Sequence, residues 1–341
     1  MKHHTVVFVG RFQPPHRAHI QIMERALEHC QQLVVLCGSA NQPRTIKNPF
    51  TVAEREEMIM ASLPDNLHNR VVVLPLHDKT YNDQQWALQV QEKVTSVAET
   101  DSIAIIGHAK DETSYYLNMF PQWDLIDVTN IDDIHASDIR DAYFKEDSWD
   151  EFDSTIGSYL PCAIHDYLQA FTLRPEFEDL VSEYAFIREY RAAWDDAPYA
   201  PTFVTVDAVV IQSGHVLLVR RRANPGKNLY AIPGGFLDHN ERTVDGAIRE
   251  LREETKIKVP IPVLRGSIKS SEVFDHPNRS LRGRTITHAC LIELPPGELP
   301  KVKGSDDADK AKWIPLNVLQ RMEDQLFEDH FHIIQHFLGE I

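Results

Sequence analysis

Three glutamates, Glu250, Glu253 and Glu254, occupy positions i, i+3 and i+4 of a stretch with a helical pattern. On a helix this spacing places three carboxylates on one face. Like charges so close repel one another, so the arrangement costs stability unless a cation lies among them. Because hard divalent cations prefer oxygen ligands, the cluster predicts a site for Mg²⁺ or Mn²⁺. Arg249 supplies a local positive charge within the cluster. For a lone Glu-x-x-Glu-Glu sequence, the alternative to a metal site is a solvated acidic helix face.

A second stretch suited to chemistry follows the first apolar run and reads Gly10-Arg-Phe-Gln-Pro-Pro-His-Arg-Ala-His19. It enters a predicted helix, whose first backbone N–H groups favour anions. His16 and His19 are three residues apart, so both imidazoles can donate hydrogen bonds from one side of a turn. Each histidine alone is more typical of a structural or surface position. The joint pattern predicts a polyphosphate site.

Three arginines, Arg279, Arg282 and Arg284, lie in the turn-rich segment Phe274–Arg284. The whole chain of 341 residues carries a net charge of −16. An anionic substrate therefore needs a local basic pocket, and we expect one or more of these arginines to bind phosphate or ribose.

The elements that must position these residues change along the chain. Residues 5–145 alternate short apolar runs with amphipathic stretches, which predicts an α/β fold with a doubly wound parallel sheet and a ligand at the carboxyl ends of its strands. The predicted strands are Val6–Val9, Leu33–Cys37, Val71–Leu74, Ile103–Ile106 and Leu125–Val128. The predicted helices are 17–30, 51–62, 84–98 and 136–144, the second opened by a Thr51–Glu54 capping box.

Beyond residue 145 the pattern differs. Residues 146–200 are rich in Asp and aromatic side chains, with helical pattern over 154–171 and 176–194, and end in Asp-Asp-Ala-Pro-Tyr-Ala-Pro. From Phe203 the chain is β-rich, with predicted strands at 203–211, 215–221 and 286–294 around the acidic helix. We therefore expect a first domain at 1–145, a helical connector at 146–200 and an α/β sandwich with a mixed sheet at 201–341.

Composition narrows the function classes. The net charge argues against a nonspecific nucleic-acid or anionic-membrane surface, so we expect neither as a partner. The four cysteines lack metal-ligand spacing and indicate free thiols in a reducing compartment. No signal peptide or membrane-length apolar run is evident, and a cytoplasmic location is expected.

The acidic segment Gly235–Ile257 resembles the Nudix box, Gly-x5-Glu-x7-Arg-Glu-U-x-Glu-Glu-x-Gly-U, in which U is a bulky aliphatic residue. Lys256 stands where that family has Gly, which ends the helix in a left-handed conformation, so we expect a backbone cost of about 1 kcal/mol there. Thr243 is the expected N-cap. The resemblance implies a metal-dependent hydrolase of nucleoside diphosphates linked to another group, with an indirect role for Glu241. The implied metal ligands are Glu250, Glu253 and Glu254, the last two being catalytic.

The segment Gly10–His19 resembles the Gly-x-Phe-x-Pro-x-His-x-Gly-His signature of the nucleotidyltransferase superfamily, with Ala18 in place of Gly. A second element of that family, Ile-Ser-Ser-Thr-x-x-Arg, is similar to Ile134-His-Ala-Ser-Asp-Ile-Arg140. The resemblance implies catalytic roles for His16, His19 and Arg140. It implies an ATP and phosphate site formed by Gly10, Arg11, Phe12, Gly107, His108, Ser137 and Arg140.

Further segments are similar to the nicotinamide-mononucleotide (NMN) adenylyltransferases of the archaeal type: Asn48-Pro-Phe-Thr-x-x-Glu-Arg55, Tyr81-Asn-Asp-x-x-Trp86, Gly107-His-x-Lys-Asp111 and Ser114-Tyr-Tyr. By this resemblance Asn48, Arg55 and Trp86 bind NMN, with Trp86 stacking on the nicotinamide. From the residues alone, a tryptophan on an amphipathic helix is more often part of a core.

The segment Phe274–Arg284 resembles a stretch of ADP-ribose-type Nudix enzymes, which implies that Arg279, Arg282 and Arg284 bind ADP-ribose. The general base expected here is Asp306 or Asp307, although an exposed acidic loop is the alternative. Both halves together resemble the bifunctional NMN adenylyltransferase/Nudix hydrolase family, with ATP, NMN and ADP-ribose as small-molecule partners.

Two alternatives stay open at this point: adenylyl or cytidylyl transfer to another phosphorylated acceptor, and a Nudix domain that senses ADP-ribose without cleaving it. Whether the chain forms a homo-oligomer is also open.

Overall fold

The computed structural model describes residues 2–108, 112–128, 135–145, 148–304 and 308–339. The chain divides into two compact units, Met1–Tyr184 and Ala185–Ile341. The division falls inside one helix, and the two units are described separately.

The first unit is built on a five-stranded parallel sheet of order β3-β2-β1-β4-β5. Its strands are β1 (His3–Gly10), β2 (Cys30–Cys37), β3 (Val71–Pro75), β4 (Ile103–Gly107) and β5 (Asp124–Asp127). The order reverses beside β1, which pairs with β2 and with β4. This arrangement confirms the predicted doubly wound parallel sheet, whose ligands bind outside the carboxyl ends of the strands at the point of reversal.

Helices connect these strands. They are α1 (Arg17–His29), α2 (Val52–Ser62), α3 (Asp83–Thr95) and α4 (Ala136–Lys145), with 3-10 helices at Asp65–Arg70 and Glu112–Met119. The predicted capping box of α2 is confirmed: Glu54 N–H donates to the Thr51 hydroxyl, and Thr51 N–H donates to the Glu54 carboxylate.

The segment after α4 is helical in places, as its pattern predicts. It contains α5 (Trp149–Ile156), a 3-10 turn at Gly157–Tyr159, α6 (Cys162–Phe171) and α7 (Pro175–Ala192). The helical pattern over 154–171 corresponds to the end of α5, the 3-10 turn and α6. Pro161 is the N-cap of α6, and because proline cannot donate a backbone hydrogen bond the helical hydrogen-bonding pattern is interrupted there.

The second unit contains a seven-stranded mixed sheet with the main order β10-β11-β6-β7-β12, while β8 pairs with β7 and β9 pairs with β6. Its strands are β6 (Thr202–Gln212), β7 (His215–Arg221), β8 (Tyr230–Ala231), β9 (Gly234–Phe236), β10 (Ile268–Phe274), β11 (Arg284–Glu293) and β12 (Ala308–Pro315). The β6–β11 pair is parallel, which confirms the expected mixed sheet.

The helices of the second unit are α8 (Thr243–Thr255), α9 (Ile261–Gly266), α10 (Leu316–Leu319) and α11 (His330–Leu338), with a 3-10 turn at Glu323–Gln325. Helix α8 carries the acidic cluster and packs its apolar face, which includes Ala247, Ile248 and Leu251, into the core of this unit. Among the described helices none has the length and apolarity needed to cross a bilayer.

Candidate active sites

Two histidines at the start of α1 form the centre of the first site. The His16 and His19 rings are 3.7 Å apart between centroids, and the His16 backbone N–H donates to His19 Nδ1 at 3.3 Å. Since Nδ1 of His19 accepts, a neutral ring carries its proton on Nε2. Burial lowers the pKa of His16 to about 4, assisted by the nearby His135, and burial also lowers the pKa of His19. Both rings are thus neutral donors near pH 7.

Positive charge is concentrated around the same helix start. Arg140 donates from Nη1 to the Gln13 carbonyl at 2.6 Å, which fastens α4 to the loop after β1. Burial, together with repulsion from the Arg11 guanidinium, lowers the pKa of Arg140 to about 10. Two guanidinium groups and two imidazoles near one helix N-terminus form a surface whose mutual repulsion a polyphosphate would relieve.

The second site is organised by Arg249 on α8. Its Nε and Nη2 donate to the two Glu241 carboxylate oxygens at 3.1 and 2.7 Å. Its Nη1 donates to Glu250 at 2.8 Å and to Glu253 at 3.2 Å. One guanidinium therefore holds three carboxylates together.

The deeper carboxylates of this cluster are desolvated. Burial raises the pKa of Glu254 to about 8, although its Oε2 accepts from Gly234 N–H at 3.1 Å. Burial likewise raises the pKa of Glu250. A Cβ on Gly235 would lie 2.5 Å from Glu250 Oε1, so a side chain here would displace this carboxylate from its position beside the strand. Buried carboxylates with raised pKa values are a donor set that fits a divalent cation.

In the described ranges, no three His, Cys, Asp or Glu side chains are already grouped as a metal site. In those ranges Glu250 and Glu253 are both ion-pair partners of Arg249. A pocket of about 560 Å³ opens beside the cluster and is lined by Glu241, Arg249, Glu253 and residues of α9.

Comparisons with known proteins agree with this geometry. Residues 7–205 match the cytidylyltransferase-like family model, and residues 201–337 match the NUDIX domain model. The crystal structure of a bifunctional NMN adenylyltransferase/ADP ribose pyrophosphatase from Francisella tularensis has a TM-score of 0.93 and 37% sequence identity, and the match covers 99% of each chain. The chain belongs to this bifunctional family.

Other relatives match one half each. A nicotinamide/nicotinic acid mononucleotide adenylyltransferase of Acinetobacter baylyi is 39% identical over 142 residues, which are 41% of this chain and 75% of the relative. An ADP-ribose pyrophosphatase of Methanocaldococcus jannaschii is 32% identical over 140 residues, again 41% of this chain and 75% of the relative. A second Francisella tularensis structure, complexed with AMP and a manganese ion, has a TM-score of 0.91, 36% identity and 98% coverage of both chains.

Within this bifunctional fold, two residues expected to contact ligands are instead buried. Phe12 is 1% exposed, and its ring packs edge-on against Phe8 and His19 at 5.3 and 5.0 Å. Its φ of 51° turns the ring back beneath Gly10, where a Cβ would lie 2.7 Å from it. The Phe12 ring thus packs against His19 and supports its position.

Arg55 is the second of these buried residues. It is 1% exposed, and its Nη1 donates to the carbonyls of Arg11 and Gly38 at 2.6 Å each, while its Nε donates to the Thr51 carbonyl. These hydrogen bonds fix the loop that carries Arg11.

The remaining predicted residues of the first unit have varied surroundings. Asn48 has a buried Oδ1 without a hydrogen-bond partner, and Trp86 is half-buried against Tyr116 and Phe120 at 6.0 and 6.2 Å. Gly107 ends β4, His108 Nδ1 lies 3.9 Å from Asp127, and Ser137 is exposed in the first turn of α4. His135, just before α4, was missed although it belongs to the segment 134–140 used for the prediction.

The three predicted ADP-ribose arginines are in different environments. Arg279 is buried and forms two hydrogen bonds with Asp329, at 2.8 and 2.9 Å. Arg284 donates to the Asp275 carbonyl. Arg282 lies over the Phe236 ring, 5.2 Å from its centroid.

Two details of α8 concern its ends. The N-cap is Arg242, and Thr243 is already the first helical residue, so the expected Thr243 cap is wrong. Lys256 has φ 50° and ψ 27°, which confirms the left-handed C-cap.

The expected base, Asp306 or Asp307, lies outside the described residues. Asp207 was missed by sequence reasoning, since nothing in its strand marks it, yet it lies close enough to raise the pKa of Glu254 further.

Proposed function

We propose that the first unit transfers an adenylyl group from ATP to NMN, giving NAD and pyrophosphate. The observation that carries this proposal is the cluster of Arg11, His16, His19 and Arg140 around one helix N-terminus. An NMN phosphate oxygen forms a bond to the α-phosphorus of ATP as the bond from that phosphorus to the β-phosphate oxygen breaks. Pyrophosphate leaves with the electron pair, so no protein nucleophile is needed.

The residues of this site act by position and charge. His19, with its proton on Nε2, donates to a phosphate oxygen, and the uncharged His16 does the same. Arg140 and Arg11 neutralise the charge that grows on the departing pyrophosphate. The Gln13 carbonyl holds Arg140 in place, since it accepts the 2.6 Å hydrogen bond from Nη1.

NMN recognition is proposed to use Asn48 and Trp86. The unpaired buried Oδ1 of Asn48 supports a ligand donor, and a half-buried indole held by Tyr116 and Phe120 supports stacking of a nicotinamide ring. Arg55 contributes indirectly, through the loop that carries Arg11.

We propose that the second unit hydrolyses ADP-ribose to AMP and ribose 5-phosphate with Mg²⁺ or Mn²⁺. Glu250, Glu253 and Glu254 would hold the cation, which neutralises diphosphate charge and makes phosphorus more electrophilic. Water adds its oxygen to one phosphorus, the bridging P–O bond breaks, and the proton passes to a base. Arg249 is proposed to keep the carboxylates grouped, and Asp306 or Asp307 remains the proposed base.

One assay panel tests both proposals. NAD formation and ADP-ribose hydrolysis are measured on the full chain and on two double variants, His16→Ala/His19→Ala and Glu253→Gln/Glu254→Gln. Each double variant is expected to lose at least 100-fold in one activity and to keep the other within a factor of about two.

The panel also contains its own controls. Each double variant reports folding of the unit that it leaves intact, and Arg17→Ala provides a matched control at the exposed start of α1. Loss of both activities in either double variant would contradict two independent sites. No NAD from NMN, together with transfer to another phosphorylated acceptor, would overturn the first assignment.

A further inference from the structure

Four aromatic side chains of the second unit form a surface that the reactions above do not use. Phe203 contacts Tyr190, Trp194 and Phe236 edge-on, with ring centroids 5.8, 5.2 and 6.0 Å apart. Trp194 and Phe236 leave 44% and 40% of their surfaces exposed. We call Tyr190, Trp194, Phe203 and Phe236 the aromatic ledge. Exposed rings held in fixed orientations by a partly buried one are suited to stacking with a planar ligand.

The ledge is joined directly to the acidic cluster. Phe236 follows Gly235, whose missing Cβ makes room for Glu250. The Phe236 carbonyl accepts a hydrogen bond from Arg249 Nη2 at 3.2 Å, and the same guanidinium holds Glu241. The backbone of Phe236 therefore joins the ledge to the guanidinium that contacts the acidic carboxylates.

Arg282 supplies the polar part of the surface. Its guanidinium carbon is 5.2 Å from the Phe236 centroid, and its Nε is buried without a hydrogen-bond partner. A buried N–H without an acceptor is costly, so a bound acceptor at this place would be stabilising. The loop that carries Arg282 is fixed to α7, because Arg191 Nε donates to the Leu281 carbonyl at 2.8 Å.

We propose that Trp194, Phe236 and Arg282 bind the adenine base of ADP-ribose. The rings stack on the base, and Arg282 donates to one of its nitrogen acceptors. This assignment rests on the proposed hydrolysis. It gives a binding site to the adenine base, for which the proposed hydrolysis names no residues. It also gives a function to the turn just after α7, although Trp194 lies before the residues matched by the NUDIX family model.

Hydrolysis kinetics test this subsite. Trp194→Ala and Phe236→Ala are expected to raise the KM for ADP-ribose and the inhibition constant of AMP about tenfold, as expected for one lost base–aromatic stack. The inhibition constant of ribose 5-phosphate, which has no base, stays unchanged. Trp194→Phe retains most of the affinity. Tyr199→Ala is the matched control, since it removes an 88% exposed aromatic outside the ledge.

A binding measurement separates this proposal from hydrolysis itself. Tryptophan fluorescence is followed during AMP titration, and subtraction of the Trp194→Phe signal isolates Trp194 from the other four tryptophans. Quenching of Trp194 that weakens about tenfold in Phe236→Ala supports the subsite, even if the wild-type chain does not hydrolyse ADP-ribose. Unchanged KM in both alanine variants, or equal changes for AMP and ribose 5-phosphate, would overturn it while leaving hydrolysis established.

Discussion

The Arg249 guanidinium and the Glu241 carboxylate form a bidentate pair, with bonds of 3.1 Å from Nε and 2.7 Å from Nη2. The geometry lets the remaining nitrogen, Nη1, reach Glu250 and Glu253. Glu241 also accepts from Asp238 N–H at 3.0 Å, which anchors it before the helix begins. Glu241 therefore orients Arg249, and Arg249 in turn holds two of the proposed metal ligands, Glu250 and Glu253. The indirect role expected for Glu241 is therefore proposed to be the orientation of Arg249.

Replacing Arg249 by lysine should separate charge from geometry. Arg249→Lys keeps the positive charge but loses the planar fork, so the three carboxylates can no longer be held by one side chain. We expect kcat/KM for ADP-ribose hydrolysis to fall about 10- to 100-fold, with NAD formation unchanged. Arg252→Lys on the same helix is the control, because Arg252 is exposed. Equal loss in both variants would mean that the fork has no special role.

Local sequence patterns predicted the architecture well, because the determinants are local. The apolar run of β1 and the Thr51–Glu54 capping box act over a few residues, and each was visible in the sequence. The left-handed conformation of Lys256 also followed from its helix position. The helical pattern over 154–171 corresponds to parts of α5 and α6, and the break before α6 comes at Pro161, which is itself a local signal.

The site could be predicted only where its chemistry depends on spacing along the chain. His16 with His19, and Arg249 with the glutamates, are close in sequence, and the structure brings each group together. Arg55 and Arg279 were predicted to bind ligands because they are arginines in similar motifs. Each instead forms hydrogen bonds with groups that are distant in the sequence. Arg279 meets Asp329, 50 positions away. Nothing in a single sequence reports such a pairing, so an arginine that binds a ligand and one that stabilises the core look alike.

The Arg279–Asp329 pair makes a stability prediction. Burial alone lowers the pKa of Arg279, but the adjacent Asp329 carboxylate raises it above normal, so the guanidinium stays charged. Removing one partner leaves the other charged and buried, and Arg279→Met should destabilise the second unit by about 3–5 kcal/mol. The double variant Arg279→Met/Asp329→Leu should recover much of this loss. Calorimetric unfolding measures both, and a neutral single variant would contradict a desolvated pair.

A pH prediction concerns His16. Burial lowers its pKa to about 4 from an ordinary value near 6.5, so the free protein should keep this ring neutral at pH 6. The stability it contributes is present above pH 6.5 and is lost as pH falls through 4. An NMR titration of the ring protons, assigned with His16→Gln, should show a midpoint near pH 4. Addition of ATP should raise the midpoint, because phosphate favours the imidazolium. A midpoint near 6.5 without ATP would contradict the buried, neutral ring.

The left-handed conformation of Lys256 predicts a stabilising substitution. A side chain with φ near 50° brings Cβ toward its carbonyl at a cost of roughly 1–2 kcal/mol, which glycine avoids. Glycine also gives the unfolded chain more conformational freedom, which offsets part of this gain. The free energy of unfolding of Lys256→Gly should therefore rise by about 1 kcal/mol net, or about 2–4 °C in the melting temperature of the second unit.

The control for this substitution is Lys258→Gly, two residues further on at an exposed position that lacks a positive φ. It carries the entropic cost of glycine without relief of strain, so it should lower the melting temperature. The Lys256 side chain also lines the pocket beside Glu253. If Lys256→Gly stabilises the unit and leaves the KM for ADP-ribose unchanged, the lysine in place of the Nudix-box glycine affects only the backbone strain and not ligand binding. A rise in KM with no gain in stability would instead make Lys256 a ligand contact that outweighs its strained backbone.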